Sequence, residues 1–530
     1  MTQIPREIAL LPAEKLLREF LLECAESFPG LNIWVTGGWV RDRLLGSPSS
    51  DLDLSLSNIT GKEFGIFLEQ FSARPEVTTR YSRRAAELGC PDSLFTKFHI
   101  MKKNATMSKK LETAGGRLFG LDVDMVNLRK EVYDGQSRNP DMEFGTAEED
   151  AFRRDATVNA LFFHLQTQRV VDLTGRGLED LEAKIMRTPL DPRQTFMDDP
   201  LRILRLIRIA SRLGFDIDPA ASTCMKCPSI HQLLNTMITR DRIGDELFKM
   251  MKGPHPEVAF QLMYDANLYA PIFIRLNSPL VAELQNTFPL PSADNSSPWP
   301  PTWLQSPILL SKILNQQGNL AKLVQCEKNS DFPWAMAAYA PLAGLRHSNL
   351  RGAVQEAASA IRCSSKVSQI LESSLTNLDS IDALVSLVAA EGNQPRRSVV
   401  GMAVRSWGET WTTQLLFTLL SQAVLIEIEE PAKGEIVEPK VESSKRDALL
   451  RKYTLFADFI FQEALVDAAT QRPLLNGNEI QIIFGLEKGG KYLRTILDRL
   501  LEWQFDHADE GAGEAKAWLL SSKAELCPPA

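Results

Sequence analysis

The sequence predicts an α+β protein, in which a head with a small mixed β-sheet and helices precedes a chain that is helical throughout. Apolar and polar residues alternate with period two at residues 51–57 and 119–128, as in half-buried strands. Beyond Asp198 the spacing of apolar residues becomes helical. Asp199 and Pro200 are typical of a helix start, and Gly214 is typical of a helix end.

The chain has 530 residues, which is more than one ordinary domain holds. After the head, helical segments continue to the end, and a charged stretch at residues 426–447 has the composition of a linker. We expect five parts: an N-terminal helix (1–30), the head (31–175), a helical neck (176–255), a helical body with loops and the linker (256–447), and a helical tail (448–530).

The composition excludes a membrane-spanning protein and favours an intracellular one. Hydrophobic residues make up 44% of the chain, but no stretch approaches the ~18 continuous apolar residues that a membrane helix needs. Glutamates near the N-terminus argue against a transit peptide, and seven thinly spread cysteines fit a reducing compartment. The net charge of −8 does not exclude a nucleic-acid partner, because net charge describes the whole surface and not one cleft.

A glycine pair followed by two aspartates carries the clearest chemistry. Gly37 and Gly38 follow an apolar run, and Asp51 and Asp53 lie two apart on a predicted strand, so both carboxylates share one face. Converging carboxylates favour a divalent cation, and Mg²⁺ prefers carboxylates together with substrate phosphates. The glycine turn before a helix would bring backbone N–H groups to a phosphate, with Arg41 in reach of the same anion.

A second alternating strand offers a further carboxylate. Asp122 and Asp124 lie on the polar face of the segment at residues 119–128, and the alternation alone does not choose between them. Either would complete a site in which paired ions activate an attacking 3′-hydroxyl and neutralise a leaving pyrophosphate. Taken alone, an Asp-x-Asp pattern also fits a solvated acidic strand.

Two further groups of residues suit a nucleotide. Arg154, Asp155 and Asn159 are predicted on neighbouring faces of a helix, where an arginine suits a phosphate and an amide suits a sugar hydroxyl. Asp199 and Arg202, three apart, could accept from and donate to one base, and the alternative is a helix-capping aspartate beside solvated arginines. The same helix carries Arg205 and Arg208, which we expect to face phosphates.

Together these segments resemble the class II tRNA nucleotidyltransferases, the CCA-adding enzymes, in their eukaryotic branch. The resemblance covers residues 30–250 and includes, besides the groups above, the segments 104–114, 124–131, 143–161, 172–175 and 240–249. It implies that CCA is added to the 3′ end of tRNA from CTP and ATP with Mg²⁺. It also implies metal ligation by Asp51 and Asp53, favours Asp124 as the third carboxylate, and makes Asp199 and Arg202 the pair that reads the incoming base.

Several alternatives remain open at this point. An enzyme adding only CC or only A would share these motifs. A bacterial-type poly(A) polymerase would share the head, but its tail is usually strongly basic, whereas this tail contains Asp506, Asp509, Glu510 and Glu514. A catalytically inactive tRNA-binding protein is the non-enzyme alternative. In relatives, the segment near residues 74–97 controls the change from CTP to ATP, and its basic residues at 80–84 suggest a mobile loop.

The expected partners are the tRNA acceptor end, CTP and ATP, with no membrane. The expected location is the cytoplasm, and nuclear or mitochondrial isoforms remain an alternative. The sequence does not indicate an oligomeric state.

Overall fold

The computed structural model describes residues 7–49, 51–91, 94–101, 113–132, 141–288, 299–325, 332–345, 350–390, 392, 394–426, 440–485 and 491–526. These fall into two compact units, Met1–Thr239 and Arg240–Ala530. Most of segment 104–114, part of the resemblance, lies outside the described residues. The finer division into five parts stays a prediction.

The first unit is built on a mixed sheet. Within the described residues, seven strands pair in the order β3-β4-β5-β2-β1-β8-β9, and two short pairs, β6 with β7 and β10 with β11, lie apart from them. The strands are β1 Ile33–Thr36, β2 Asp51–Leu56, β3 Phe95–Met101, β4 Thr113–Leu118, β5 Leu121–Asn127, β6 Arg129–Val132, β7 Asp141–Phe144, β8 Leu161–His164, β9 Arg169–Asp172, β10 Ile185–Met186 and β11 Asp216–Ile217.

Helices of the first unit precede, interrupt and follow the sheet. They are α1 Pro12–Ala25, α2 Gly38–Leu44, α3 Gly61–Ser72, α4 Pro75–Glu87, α5 Ala147–Phe152, a 3₁₀ helix Thr157–Asn159, α6 Gly177–Ala183, α7 Pro192–Asp198, α8 Arg202–Leu213, α9 Pro219–Met225 and α10 Pro228–Met237. The predicted order of strand, glycine turn, helix and strand is found in β1, α2 and β2. Helix α8 ends at Gly214 with φ +67°, as predicted.

Helix α3 covers one face of the sheet. A Cβ placed on Gly65 would lie 2.7 Å from Cβ of Ala114 and 2.9 Å from the ring of Phe98, so helix and strands touch through a glycine. Phe20 of α1 extends this core, since its ring lies 5.8 Å from that of Phe119. The alternation predicted for residues 119–128 is found in β5, although Phe119 (φ +51°) lies in the turn before the strand. The opposite face of β2 and β5 carries the aspartates.

The prediction of a mobile loop at residues 74–97 is wrong over most of its length. Residues Pro75–Glu87 form α4, and the Tyr81 hydroxyl, on a side chain that is 5% exposed, donates to Glu23 of α1. Arg80 pairs with Glu23, and Arg84 lies 3.2 Å from Glu19. The basic residues therefore face the acidic side of α1, because opposite charges on two adjacent amphipathic helices attract.

The second unit is helical throughout its described residues. Its helices are α11 Arg240–Met251, α12 Pro256–Asp265, α13 Tyr269–Phe273, α14 Pro279–Thr287, a 3₁₀ helix Pro301–Leu304, α15 Gln305–Leu314, α16 Asn319–Gln325, α17 Phe332–Tyr339, a 3₁₀ helix Ala340–Gly344, α18 Leu350–Ala360, α19 Ser365–Ala389, α20 Arg397–Trp407, α21 Trp411–Leu425, α22 Lys440–Gln462, α23 Gly477–Phe484, α24 Lys491–Asp506, α25 Ala512–Ser521 and α26 Lys523–Leu526. The α+β class is confirmed.

The core of the second unit surrounds α21, whose residues are buried at nine consecutive positions, 413–421. A smaller cluster near the end of the chain includes Trp503, which stacks on Trp518 with ring centroids 5.4 Å apart. The predicted linker at 426–447 is too long, because α22 begins at Lys440. None of the helices within the described residues has the length and apolar character that a membrane span requires.

Candidate active site

Two parallel strands bring carboxylates together on the open face of the sheet. In the pairing of β2 with β5, Asp53 is opposite Asp124 and Asp51 is opposite Asp122. All four side chains are exposed, while the residues between them, such as Leu52 and Val123, are buried. The alternation of the two strands therefore places the predicted acids on one face.

The register distinguishes the two candidates for the third carboxylate. Asp124 lies directly beside Asp53. Asp122 lies two residues earlier on β5, opposite Asp51, and its Oδ1 is 3.7 Å from Nε of Arg117. The strand pairing therefore places Asp124 next to Asp53, and the sequence resemblance favours the same residue as the third carboxylate. Asp122 is a surface residue that pairs with an arginine.

The electrostatics of Asp53 fit a divalent cation. Its carboxylate reaches solvent, yet the surrounding protein partly desolvates it, which is the largest cause of a raised pKa. Arg154 opposes this effect, and the charges of Asp124 and Asp51 raise the pKa further. A cation would relieve that repulsion. No group of three metal-binding side chains is assembled among the described residues, but Mg²⁺ needs only one or two carboxylates when phosphates and water complete its shell.

The glycine turn borders this acidic pair. Gly37 has φ +76°, which side-chain-bearing residues rarely adopt, and it connects β1 to α2. A Cβ at Gly37 would lie 3.4 Å from both Nη1 of Arg154 and Oδ2 of Asp53. The turn therefore leaves an open space between a carboxylate that can hold a cation and a guanidinium that can bind a phosphate. Gly38 begins α2, as predicted.

Arg154 is held by a buried acid, Asp150, that was not among the predicted site residues. Its Nε and Nη2 donate to Oδ2 of Asp150 at 3.1 and 2.8 Å, and its Nη1 donates to the carbonyl of Asn159. Asp150 is 1% exposed and also accepts from Arg153. Burial acts to raise the pKa of Asp150, but the two guanidinium groups outweigh it and the pKa is lowered. The spacing of four between Asp150 and Arg154 was the available signal.

Asp155 and Asn159 belong to a continuous polar chain. Asn159 Nδ2 donates to Asp155 Oδ1 at 3.0 Å, and Arg205 Nε of α8 donates to Asp155 Oδ2 at 2.8 Å. Asp155 is 6% exposed. Burial acts to raise its pKa, but Arg205, the hydrogen bond from Asn159 and the charge of Arg202 together hold the pKa well below the usual range.

Arg41 continues this chain into α2. Arg41 is 4% exposed, and its guanidinium donates to Oδ1 of Asn159 and pairs with Asp42 at 2.7 Å. Asp42 in turn lies 3.6 Å from Arg212 of α8. The chain of polar contacts therefore joins the glycine-turn helix to α8. Arg41 was predicted to reach the anion itself, and that direct contact stays a prediction.

The prediction of one helix carrying Arg154, Asp155 and Asn159 is wrong. Helix α5 ends at Phe152, and a separate 3₁₀ helix holds Asn159. The residues meet because the chain turns between the two, with the backbone N–H of Arg154 still donating to Ala151. The structure brings them together by a turn that sequence spacing does not reveal.

Asp199 and Arg202 lie at the start of α8, and only Arg202 is within it. Asp199 precedes the helix with extended backbone angles, and its Oδ1 accepts from the N–H of Leu201 at 3.2 Å. Arg202 is 8% exposed and donates its backbone N–H to the carbonyl of Asp199. The prediction that the helix begins at Asp199 and Pro200 is therefore two or three residues early. Arg208 lies six residues beyond Arg202, nearly two turns further along α8, and is half-buried.

A mixed sheet with two adjacent carboxylates, Asp53 and Asp124, on its open face places this chain in the class of nucleotidyltransferases. Residues 33–187 match the family model of the poly A polymerase head domain, and residues 214–280 match that of the probable RNA and SrmB-binding site of polymerase A. The chain belongs to the tRNA nucleotidyltransferase/poly(A) polymerase family.

Similarity to individual members extends over nearly the whole chain. It is 34% identical to nucleotidyltransferase lcsQ of Purpureocillium lilacinum, over 95% of this chain and 90% of that protein. It is 33% identical to the mitochondrial CCA tRNA nucleotidyltransferase of Saccharomyces cerevisiae, over 90% of this chain and 85% of that protein. The Thermotoga maritima CCA-adding enzyme complexed with tRNA shares the fold, with a TM-score of 0.60, 18% identity, and coverage of 98% of this chain and 100% of that one.

Proposed function

We propose that this chain adds CCA to the 3′ end of tRNA, with CTP and ATP as substrates and Mg²⁺ as the metal. The observation that carries the proposal is the side-by-side placement of Asp53 and Asp124 next to the open turn at Gly37. Similarity over 90% of the chain to a relative named as a CCA tRNA nucleotidyltransferase supports this particular activity.

Each residue near the acidic pair has a role in this proposal. Asp51 and Asp53 would hold Mg²⁺, with Asp124 as the third carboxylate. When bound, the metal would lower the pKa of the attacking hydroxyl and neutralise charge on the leaving pyrophosphate. Arg154, fixed by Asp150, binds a phosphate oxygen beside Gly37 and Gly38.

The polar chain orients the groups around the nucleotide. Asn159 accepts from Arg41 and donates one amide N–H to Asp155, so we assign its second amide N–H to a sugar hydroxyl. Asp155 and Arg205 then tie this segment to α8. Because Asp155 already has two partners and is buried, we assign it the positioning of Asn159 and Arg205.

We assign selection of the base to the residues at the start of α8. The Asp199 carboxylate can accept from the exocyclic amine that cytosine and adenine share, and the Arg202 guanidinium can donate to a ring nitrogen or carbonyl. Uracil and guanine do not present that pattern. Arg208 extends the positive charge of α8, and Arg205 does so in part, since it also pairs with Asp155.

The test is primer extension on tRNA lacking CCA, with CTP and ATP offered separately and together. Addition of C, C and A in that order supports the proposal. Addition that stops at CC, or A added only to a tRNA ending in CC, would identify a partial enzyme. Long tails from ATP alone would identify a poly(A) polymerase, and tRNA binding without any incorporation would identify an inactive binding protein.

We also propose action in the cytoplasm and in mitochondria. The relative in Saccharomyces cerevisiae is named as mitochondrial. Fractionation of cells expressing the native gene, with the protein detected by antibody, tests both locations. Recovery from only one fraction would restrict the proposal to that compartment.

A further inference from the structure

An imidazole lies on the same face of the sheet as the acidic pair. His99 of β3 is opposite Gly115 of β4, and Gly115 is opposite Asp124 of β5. Asp124 is in turn opposite Asp53 of β2. Residues directly opposite each other on neighbouring strands point to the same face. The row across four strands therefore carries an imidazole at its edge and two carboxylates at its centre.

The residue before His99 confirms the direction of its side chain. The ring of Phe98 lies against Gly65 of α3, 2.9 Å from the position of a Cβ there. The register of β3 against β4 shifts between Thr96 and His99, but it is regular from His99 to Met101, where Ile100 is opposite Ala114, a residue that packs on α3. Successive side chains of a regular strand point to opposite faces. His99, which is exposed, therefore points away from α3 and into the open face that holds the carboxylates.

Gly115 allows the imidazole and the carboxylate to approach each other. A Cβ at Gly115 would lie 2.5 Å from Oδ1 of Asp124 and 2.7 Å from Cε1 of His99. Real Cβ atoms essentially never come so close to other heavy atoms. The two side chains thus occupy, from either side, the space that any other residue at this position would fill.

The position of this imidazole relative to the glycine turn determines what it can bind. Gly37 and Arg154, the proposed phosphate site, lie on the β1 side of Asp53, whereas His99 lies beyond Asp124 on the other side. In phosphoryl transfer the attacking and leaving oxygens lie roughly in line. If the pyrophosphate leaves on the side of Gly37, the attacking 3′-hydroxyl approaches from the side of His99.

We infer that His99 binds the terminal nucleotide of the RNA that is being extended, donating an imidazole N–H to an oxygen of its ribose or phosphate. This inference rests on the proposed nucleotidyl transfer and adds a residue for the RNA end. It makes His99 a residue that positions the nucleophile, distinct from the residues that hold the incoming nucleotide.

The first test is a kinetic comparison of His99→Ala with wild type. We expect KM for tRNA to rise about three- to tenfold, the effect of losing one hydrogen bond, while KM for CTP stays unchanged. His99→Gln, which retains an N–H donor, should recover part of the loss. His164→Ala is the matched control, because this imidazole lies on β8, on the opposite side of β2 from β3, and it should leave both constants unchanged.

A binding measurement separates contact with the RNA from a structural role. Wild type should bind tRNA lacking CCA more tightly than the same tRNA shortened by one further nucleotide, and His99→Ala should bind the two alike. An unchanged preference in His99→Ala, or an equal rise of KM for tRNA and CTP, would overturn the inference. If Ala destabilises the protein, the same measurements on His99→Phe, which keeps an aromatic ring and lacks the N–H donor, decide. Absence of any incorporation by wild type would instead refute the proposed function.

Discussion

Arg205 of α8 pairs with a single carboxylate oxygen of Asp155, with its Nε at 2.8 Å and its Nη2 at 2.7 Å from Oδ2. The other oxygen of Asp155 accepts from Asn159. This buried carboxylate therefore joins the helix proposed to read the base to the segment proposed to hold the sugar. Its loss should lower the stability of the protein, and the size of that effect should depend on pH.

Asp155→Asn should destabilise the protein at pH 7 by roughly 1–3 kcal/mol, the range for hydrogen bonds to charged groups. The pKa of Asp155 is lowered in the folded state, so the unfolded state binds more protons as pH falls toward and below about 4. The stabilisation that the Asp155 carboxylate provides is therefore fully present above about pH 4 and is lost as the pH falls further. Urea unfolding of wild type and variant at pH 7 and pH 3.5 should show a difference that shrinks at the lower pH.

The exposed Asp216 of β11 supplies the control for this experiment. Asp216→Asn should leave the free energy of unfolding at pH 7 within roughly 0.5 kcal/mol of wild type. A difference between wild type and Asp155→Asn that stays constant or grows as pH falls would mean that the carboxylate charge is not what stabilises this contact.

Asp124 and Asp122 offer a matched pair on one strand. Asp51→Ala, Asp53→Ala or Asp124→Ala should lower the rate of CMP incorporation by roughly 10³-fold or more, by analogy with other losses of electrostatic transition-state stabilisation. Asp122→Ala should retain most activity, because that carboxylate lies near Arg117 and beside Asp51 only. Initial rates at saturating CTP and filter binding of tRNA measure both effects.

All of these variants should still bind tRNA, since the phosphate contacts of the RNA do not depend on the metal. Should Asp122→Ala prove as inactive as Asp124→Ala, the assignment from the strand register would be wrong. Should Asp53→Ala keep more than a tenth of the wild-type rate, against the loss expected above, Asp53 would not hold the metal.

The sequence predicted the elements of this site better than their contacts. Period-two alternation predicted both acidic strands, because one face of β2 and β5 packs on a core and the other is open. The choice between Asp122 and Asp124 needed the register of β2 against β5. Register is set by long-range pairing, and no local pattern contains it.

The buried polar chain was beyond prediction from the sequence for the same reason. Arg41 and Asn159 are 118 residues apart, and Arg84 meets Glu19 from 65 residues away. A run of arginines at 80–84 suggested a mobile loop because its acidic partners lie on α1, far away in sequence. The direction of α4, with Tyr81 facing inward, became evident only when both helices were in place.

Alanine substitutions at Gly37 and Gly46 separate the effect of backbone strain from an effect on the candidate active site. Both have φ +76°, but a Cβ at Gly46 would have no neighbour within 4 Å, whereas one at Gly37 would face Asp53 and Arg154. Gly37→Ala should cost roughly 1–3 kcal/mol of stability, because φ +76° with ψ −140° is a conformation that residues with a Cβ rarely adopt. Gly46→Ala should cost roughly 1–2 kcal/mol. Only Gly37→Ala should also lower kcat/KM for CTP.

Thermal unfolding and steady-state kinetics of the two variants test this expectation. Equal losses of activity in Gly37→Ala and Gly46→Ala would show that strain in this region, and not the open space beside Asp53, limits the reaction. Full activity in Gly37→Ala would exclude close approach of a phosphate to the turn.

Asp199 has two possible roles, and the structure supplies a way to separate them. Its Oδ1 accepts from the N–H of Leu201, which is a capping contact before α8. Its carboxylate is also proposed to accept from the amine of cytosine or adenine. Asp199→Ala removes both roles, whereas Asp199→Asn keeps a capping oxygen, since asparagine and aspartate cap helices about equally well.

We expect Asp199→Asn to retain the melting temperature of wild type and to relax the choice of nucleotide toward UTP. An amide can rotate to donate to the carbonyl of uracil, whereas a carboxylate cannot donate. A hydrogen-bonding site rejects a base that leaves its groups unpaired, at a cost of roughly 1–3 kcal/mol for each buried group. The measurement is the ratio of kcat/KM for UTP to that for CTP, with the melting temperature alongside.

Asp198→Ala is the matched control, because the neighbouring Asp198 lies in α7 and accepts from Gln194. It should leave the UTP-to-CTP ratio unchanged. Asp199→Ala should both raise that ratio and lower stability by roughly 0.5–2 kcal/mol, the usual effect of losing a cap. A lower melting temperature in Asp199→Ala with an unchanged ratio in both Asp199 variants would leave only the capping role, and the base would have to be read elsewhere.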